Sequence, residues 1–105
     1  MGFSTILLEK SESISTLTLN RPEARNAVDL VMREEIVAAL DEIEGAAAVR
    51  VLIVTGAGEH FCAGGDVKTM QAKRHTAAEG RARVELLNRM VLRLVNFPKP
   101  TLAMV

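Results

Sequence analysis

Four consecutive apolar residues, Val51-Leu52-Ile53-Val54, run directly into a stretch that holds Gly56, Gly58, Gly64 and Gly65. A short continuous apolar run bounded by glycine suits a strand buried on both faces, and hence a parallel sheet covered by helices. The segments on either side fit around such a strand. Upstream, Thr5 to Leu8 reads as a short strand and Glu9 to Glu12 as a turn. Ile14, Thr16, Thr18 and Asn20 then alternate with Ser15, Leu17 and Leu19, which completes a hairpin. Arg21-Pro22 breaks the pairing, because proline has no N–H to donate. Pro22 to Val28 is a loop, and Asp29 is a plausible N-cap. Met32, Ile36, Leu40 and Ile43 follow at helical spacing, and Gly45 is expected to end that helix.

Downstream of the glycines, Asp66 to Gln71 reads as a short helix, and Thr76 with Glu79 has the spacing of a capping box. The next helix carries Val84, Leu87, Val91 and Leu94 on one face and stops at Asn96-Phe97-Pro98. Leu102 to Val105 opens another strand, expected to be buried. The order strand, strand, helix, strand, helix, strand describes an α/β fold with a hairpin at its start. The 105 residues amount to one small domain, residues 1–105. The chain stops inside an apolar strand-like run, so Leu102 to Val105 is expected to leave an exposed edge that favours association.

Composition narrows the function. Lys+Arg and Asp+Glu are equal at 13 each, and aromatic residues make up 3%. Neither a basic surface for nucleic acid nor a set of stacking platforms is present. A role with RNA therefore finds no support. The one cysteine, Cys62, excludes an intramolecular disulfide and a two-cysteine metal site. It reads as a small packed side chain, because no His–Asn pair is placed to activate it as a nucleophile. His60 and His75 do not make a metal site by themselves. No secretory signal or membrane span is visible, and the expected compartment is the cytoplasm.

The chemistry lies in Val51 to Met70. A loop of glycines that feeds a helix N-terminus lets backbone approach a ligand and points unpaired N–H groups outward. Such donors suit a developing negative oxygen, which makes the Gly65 N–H a candidate oxyanion donor. A simple tight turn is the alternative. Gly56-Ala57-Gly58 starts like a dinucleotide fingerprint, but Phe61 stands where the third glycine belongs. No glycine-lysine-Ser/Thr triplet supports a P-loop either.

Three segments together resemble the enoyl-CoA hydratase/isomerase (crotonase) superfamily. They are Leu19-Asn20-Arg21-Pro22 with Arg25-Asn26-Ala27, then Val51 to Thr55 with His60 to Lys68, and Phe97-Pro98-Lys99-Pro100-Thr101. The resemblance implies a crotonase-like ββα spiral, incomplete in this chain, and a homo-oligomer, a trimer or a pair of trimers. It implies an acyl-CoA thioester as substrate, with coenzyme A as part of that substrate and no separate cofactor or metal. It places Gly65 as the first oxyanion donor and Ala63, Gly65, Asp66, Val67 and Lys68 along the acyl-CoA channel. Ala24, Arg25 and Ala27 match the segment at the adenine and phosphate end of CoA, where a guanidinium suits phosphate. The family's second oxyanion donor and its acid/base residues come later than Val105. Glu23, Glu34, Glu35 and Asp41 do not match them, and most are expected to be solvated. This chain alone is expected to be inactive. The competing expectation is an incomplete or degenerate relative that serves as a CoA-binding or assembly module.

Overall fold

The structure, a computed structural model, describes residues 2–62 and 77–104. Strands β1 (Ile6–Ser11) and β2 (Ile14–Leu19) form an antiparallel hairpin, with Ile6 opposite Leu19 and Ser11 opposite Ile14. The strand predicted to stop at Leu8 runs on to Ser11. The reversal is confined to Glu12 and Ser13, and Glu12 takes φ 56. A 3-10 turn at Pro22–Ala24 leads to helix α1 (Leu30–Gly45). Strand β3 (Val51–Gly56) pairs parallel with β2. Helix α2 (Ala77–Val95) precedes β4 (Thr101–Met104), which pairs parallel with β3. The sheet order is β1-β2-β3-β4. The crossover helices follow from the parallel pairings, which no tight turn can connect.

Asp29 caps α1 as predicted: its carboxylate accepts from the Met32 amide at 2.8 Å. The helix face read from the spacing is the buried one. Met32, Leu40 and Ile43 are fully buried, and Ile36 nearly so. They pack on Ile6, Leu17 and Leu52, which the period of two puts on one face of the sheet. Gly45 does not cap the helix. It is the last helical residue, and Ala46 follows in extended conformation. The Lys99 ammonium takes over the capping, donating to the carbonyls of Ile43 at 2.8 Å and Ala46 at 2.7 Å. A cation suits the negative end of a helix.

Three expectations need correction. In β3 only Leu52 is fully buried, and Val51, Ile53 and Val54 are half-buried. Among the described residues helices cover one face of the sheet, so an apolar run here reflects one covered face and one uncovered face. Strand β4 is exposed along its length. On α2 the inward face runs through Leu87, Met90 and Leu94, whereas Val84 and Val91 are exposed. Both stripes have helical spacing, and periodicity alone does not say which one meets the core. The predicted short helix at Asp66 to Gln71 and the Thr76 cap lie outside the described residues.

Candidate functional site

Two loops meet at the end of the sheet where β2 finishes and β3 finishes. The first runs from Arg21 to Val28. Arg25 and Asn26 both take left-handed backbone angles, φ 54 and φ 57. Consecutive left-handed residues other than glycine are uncommon, and they persist only where the surroundings hold them. Here the backbone is held closely. Ala24 and Asn26 donate to the Arg21 carbonyl at 2.9 and 2.8 Å, Arg25 donates to Pro22 at 3.2 Å, and Ala27 donates to Ala24 at 3.0 Å. The Arg21 guanidinium donates to the Ala27 carbonyl and lies 3.7 Å from the Asp29 carboxylate.

The second loop leaves β3 at Gly56. A Cβ on Gly56 would sit 2.4 Å from the Phe61 carbonyl oxygen and 2.5 Å from that of His60. Glycine is required because the returning chain crosses directly over it. Gly58 has φ 77, and a Cβ there would lie 3.2 Å from the Pro22 side chain. These two glycines therefore serve the fold of the turn itself. Phe61 and Cys62 are half-buried. They line an apolar cavity of about 150 Å³ with Leu19, Val28, Val54 and Met90. Cys62 packs against the core, in line with its reading as a small apolar side chain.

Asn26 joins the two loops. It is fully buried. Its Oδ1 accepts from the Arg21 amide at 2.8 Å, and its Nδ2 donates to the Ala57 carbonyl at 2.8 Å and the His60 carbonyl at 2.6 Å. The motif Arg25-Asn26-Ala27 was visible in the sequence, but the partners of Asn26 lie 31 and 34 positions away, out of reach of any local rule.

Of the residues singled out in the sequence, Ala24, Arg25 and Ala27 share the first loop, which Asn26 holds against the second at Ala57 and His60. Arg25 is exposed and Ala24 is half-buried, while Ala27 is buried with its amide and carbonyl both engaged. Since the amides of Ala24, Arg25 and Ala27 are used internally, the side chain of Arg25 is what this loop can offer to an anion. Ala63, Gly65, Asp66, Val67 and Lys68 lie outside the described residues, as does His75. His60 is exposed. Among the described residues no group of three His, Cys, Asp or Glu side chains could hold a metal ion. No described helix is long and apolar enough to cross a membrane.

Glu35 was missed. It was expected to be solvated, yet it accepts from the Ser4 amide at 2.8 Å and the Thr5 amide at 2.7 Å, and from both hydroxyls. Burial works to raise its pKa. The Thr5 hydroxyl and the other donors outweigh that, and the carboxyl sits below its ordinary 4.5. Asp41, also expected to be solvated, pairs with Arg93 while remaining largely exposed.

An α/β sheet whose parallel strands end at two interlocked loops, one of them glycine-rich, has the crotonase-type fold. The family profile of enoyl-CoA hydratase/isomerase matches residues 9–105, and the chain belongs to that family. The short-chain-enoyl-CoA hydratase of Clostridium acetobutylicum is 37% identical, over 100% of this chain and 40% of its own length. The trans-2-decenoyl-[acyl-carrier-protein] isomerase of Streptococcus mutans is 35% identical, over 95% of this chain and 39% of its own. A solved enoyl-CoA hydratase/isomerase from Xanthobacter autotrophicus Py2 superposes with TM-score 0.93 at 40% identity, covering 99% of this chain and 39% of that one. The chain thus spans about two-fifths of the length of the relatives it matches.

Proposed function

We propose that this chain binds an acyl-CoA thioester and directs the Gly65 N–H at the thioester carbonyl oxygen, as half of an oxyanion hole. The observation that carries the reading is the junction of the two loops by Asn26. It sets the Arg25 loop, suited to CoA phosphates, against the backbone that runs on through Cys62 toward Gly65. Negative charge that develops on the oxygen as the α-carbon becomes enolate-like would be met by a fixed amide dipole. One such donor is worth about 3–4 kcal/mol in transition-state stabilisation. Water addition, its reversal and double-bond migration all pass through that charge. The family resemblance puts the second donor and the groups that move protons later than Val105, so the chain by itself supplies binding and half of the polarisation.

The test is titration of this chain with crotonyl-CoA and with free coenzyme A. The thioester is expected to bind more tightly, with the preference lost in Gly65→Pro. No hydration of crotonyl-CoA is expected above background. Equal affinity for the two ligands would count against the oxyanion reading, and measurable turnover would refute the placement of essential groups elsewhere.

A second reading, an assembly module, is favoured by the exposed apolar residues Leu102 at 59%, Met104 at 57% and Val95 at 74%. Surfaces of this kind associate. Light scattering on the isolated chain is expected to show self-association. A well-behaved monomer contradicts this reading.

A further inference from the structure

We propose that Asn26 is a positioning residue for the thioester site: from the loop that carries Arg25 it sets the course of the backbone that delivers Gly65. The inference rests on the thioester reading above. Asn26 uses its side-chain oxygen to hold its own loop, at the Arg21 amide, and both side-chain hydrogens to hold the other, at Ala57 and His60. No other uncharged side chain of its length offers one acceptor and two donors in a plane. Its left-handed backbone angle, which asparagine tolerates better than most residues, aims the amide across the gap. An aspartate would fit the space but would face two carbonyl oxygens with a third oxygen and no hydrogen. The segment held this way contains Gly58, Glu59 and His60, all exposed, so the sheet and helices do not fix its path by burial. A further tie is the Ala57 amide, which donates to the Leu19 carbonyl at 2.8 Å. Cys62 packs against the apolar core immediately afterwards, and Phe61 lines the small apolar cavity beside it. Asn26 thus ties the loop that carries Arg25 to the segment from Ala57 to His60.

Two variants of this chain test the proposal. Asn26→Asp keeps the acceptor and the shape but removes both donors. Asn26→Gly keeps the backbone angle and removes the side chain. Amide exchange at Ala57 is the first readout, with Leu52 and Val54 as internal reports that the sheet stays folded. Exchange at Ala57 is expected to rise by about tenfold or more in both variants, since a loss of about 1.4 kcal/mol already produces tenfold and each variant loses at least two hydrogen bonds. The second readout is the ratio of crotonyl-CoA to coenzyme A affinity. It should fall by about tenfold, because the carbonyl loses its aligned donor while the CoA portion keeps Arg25. The core variant Ile43→Val, at the far end of α1 and outside the cavity that Phe61 and Cys62 line, should leave the ratio alone. Unchanged exchange at Ala57 overturns the proposal. So does faster exchange with an unchanged ratio, which would leave Asn26 a structural staple only. A parent chain with no preference for the thioester defeats the functional reading itself, and the exchange data then still report whether Asn26 holds the loop.

Discussion

Helices α1 and α2 pack against one another, yet they stand in opposite relations to the core. On α1, Met32, Ala39, Leu40 and Ile43 are fully buried against the sheet. On α2 none of the described residues is fully buried; Met90 is nearly so, and Leu92 and Val95 face outward. The two are linked at the surface by Arg93, which reaches Asp41 and, at 3.7 Å, Glu44. Ion pairs this exposed contribute about 0–1 kcal/mol. The difference shows that β1, β2, β3 and α1 supply most of the core and α2 joins it through Met90, Leu87 and Leu94, while the other face of α2 and all of β4 present apolar side chains that this core leaves uncovered. The interlocked loops grow from the well-packed part: Arg21 to Val28 precedes α1, and Gly56 to Cys62 follows β3. Both loops therefore adjoin the well-packed part of the chain.

The contrast is most easily broken by truncating one residue on each helix. Leu40→Ala should cost about 3 kcal/mol, the range for a fully buried leucine. Val95→Ala should change stability by no more than about 0.5 kcal/mol. Urea unfolding of both variants checks this, and equal losses would erase the distinction. Gly56→Ala should come next, at about 2 kcal/mol, because its methyl group would collide with the carbonyls of His60 and Phe61. The same variant should weaken thioester binding, since the loop has to shift to make room. Ser15 is fully buried in β2, and its hydroxyl finds no hydrogen-bond partner among the described residues. Ser15→Ala should be neutral or stabilising by up to about 1 kcal/mol, and a clear loss would reveal a partner.

The smallest effect concerns Glu35. Its folded pKa is depressed, so its contribution is fully present above the unfolded value and is lost as pH falls through the folded one. Acid unfolding of Glu35→Gln should therefore be less steep in the region below the ordinary carboxylate range, while the curves above it run parallel. Curves that stay parallel throughout would show that the Ser4 and Thr5 contacts carry no pH dependence.

What the sequence made legible follows from the range of each interaction. The α1 register and its Asp29 cap rest on contacts within four residues, and both were readable. The hairpin was readable for the same reason, apart from its last three strand residues, whose polar side chains Glu9, Lys10 and Ser11 resemble a turn. The choice of face on α2 was not readable, because Val84 and Val91 repeat with the same spacing as Leu87 and Leu94. The two covers assumed for β3 reduce to one for a similar reason: an apolar run signals burial without saying by what. Lys99 at the end of α1 was also beyond local rules, since its partner Ile43 lies 56 positions away. Three motifs placed the chain in its family, and the loop junction by Asn26 emerged only once Ala57 and His60 were brought beside it.

The central claim is that this chain aims an amide at a thioester oxygen. Infrared difference spectra of crotonyl-CoA carrying a ¹³C-labelled thioester carbonyl test it most directly. On binding, the carbonyl stretch should move to lower frequency, and in Gly65→Pro it should return to its free value while the CoA portion stays bound. A carbonyl that absorbs at the same frequency bound and free would contradict the account.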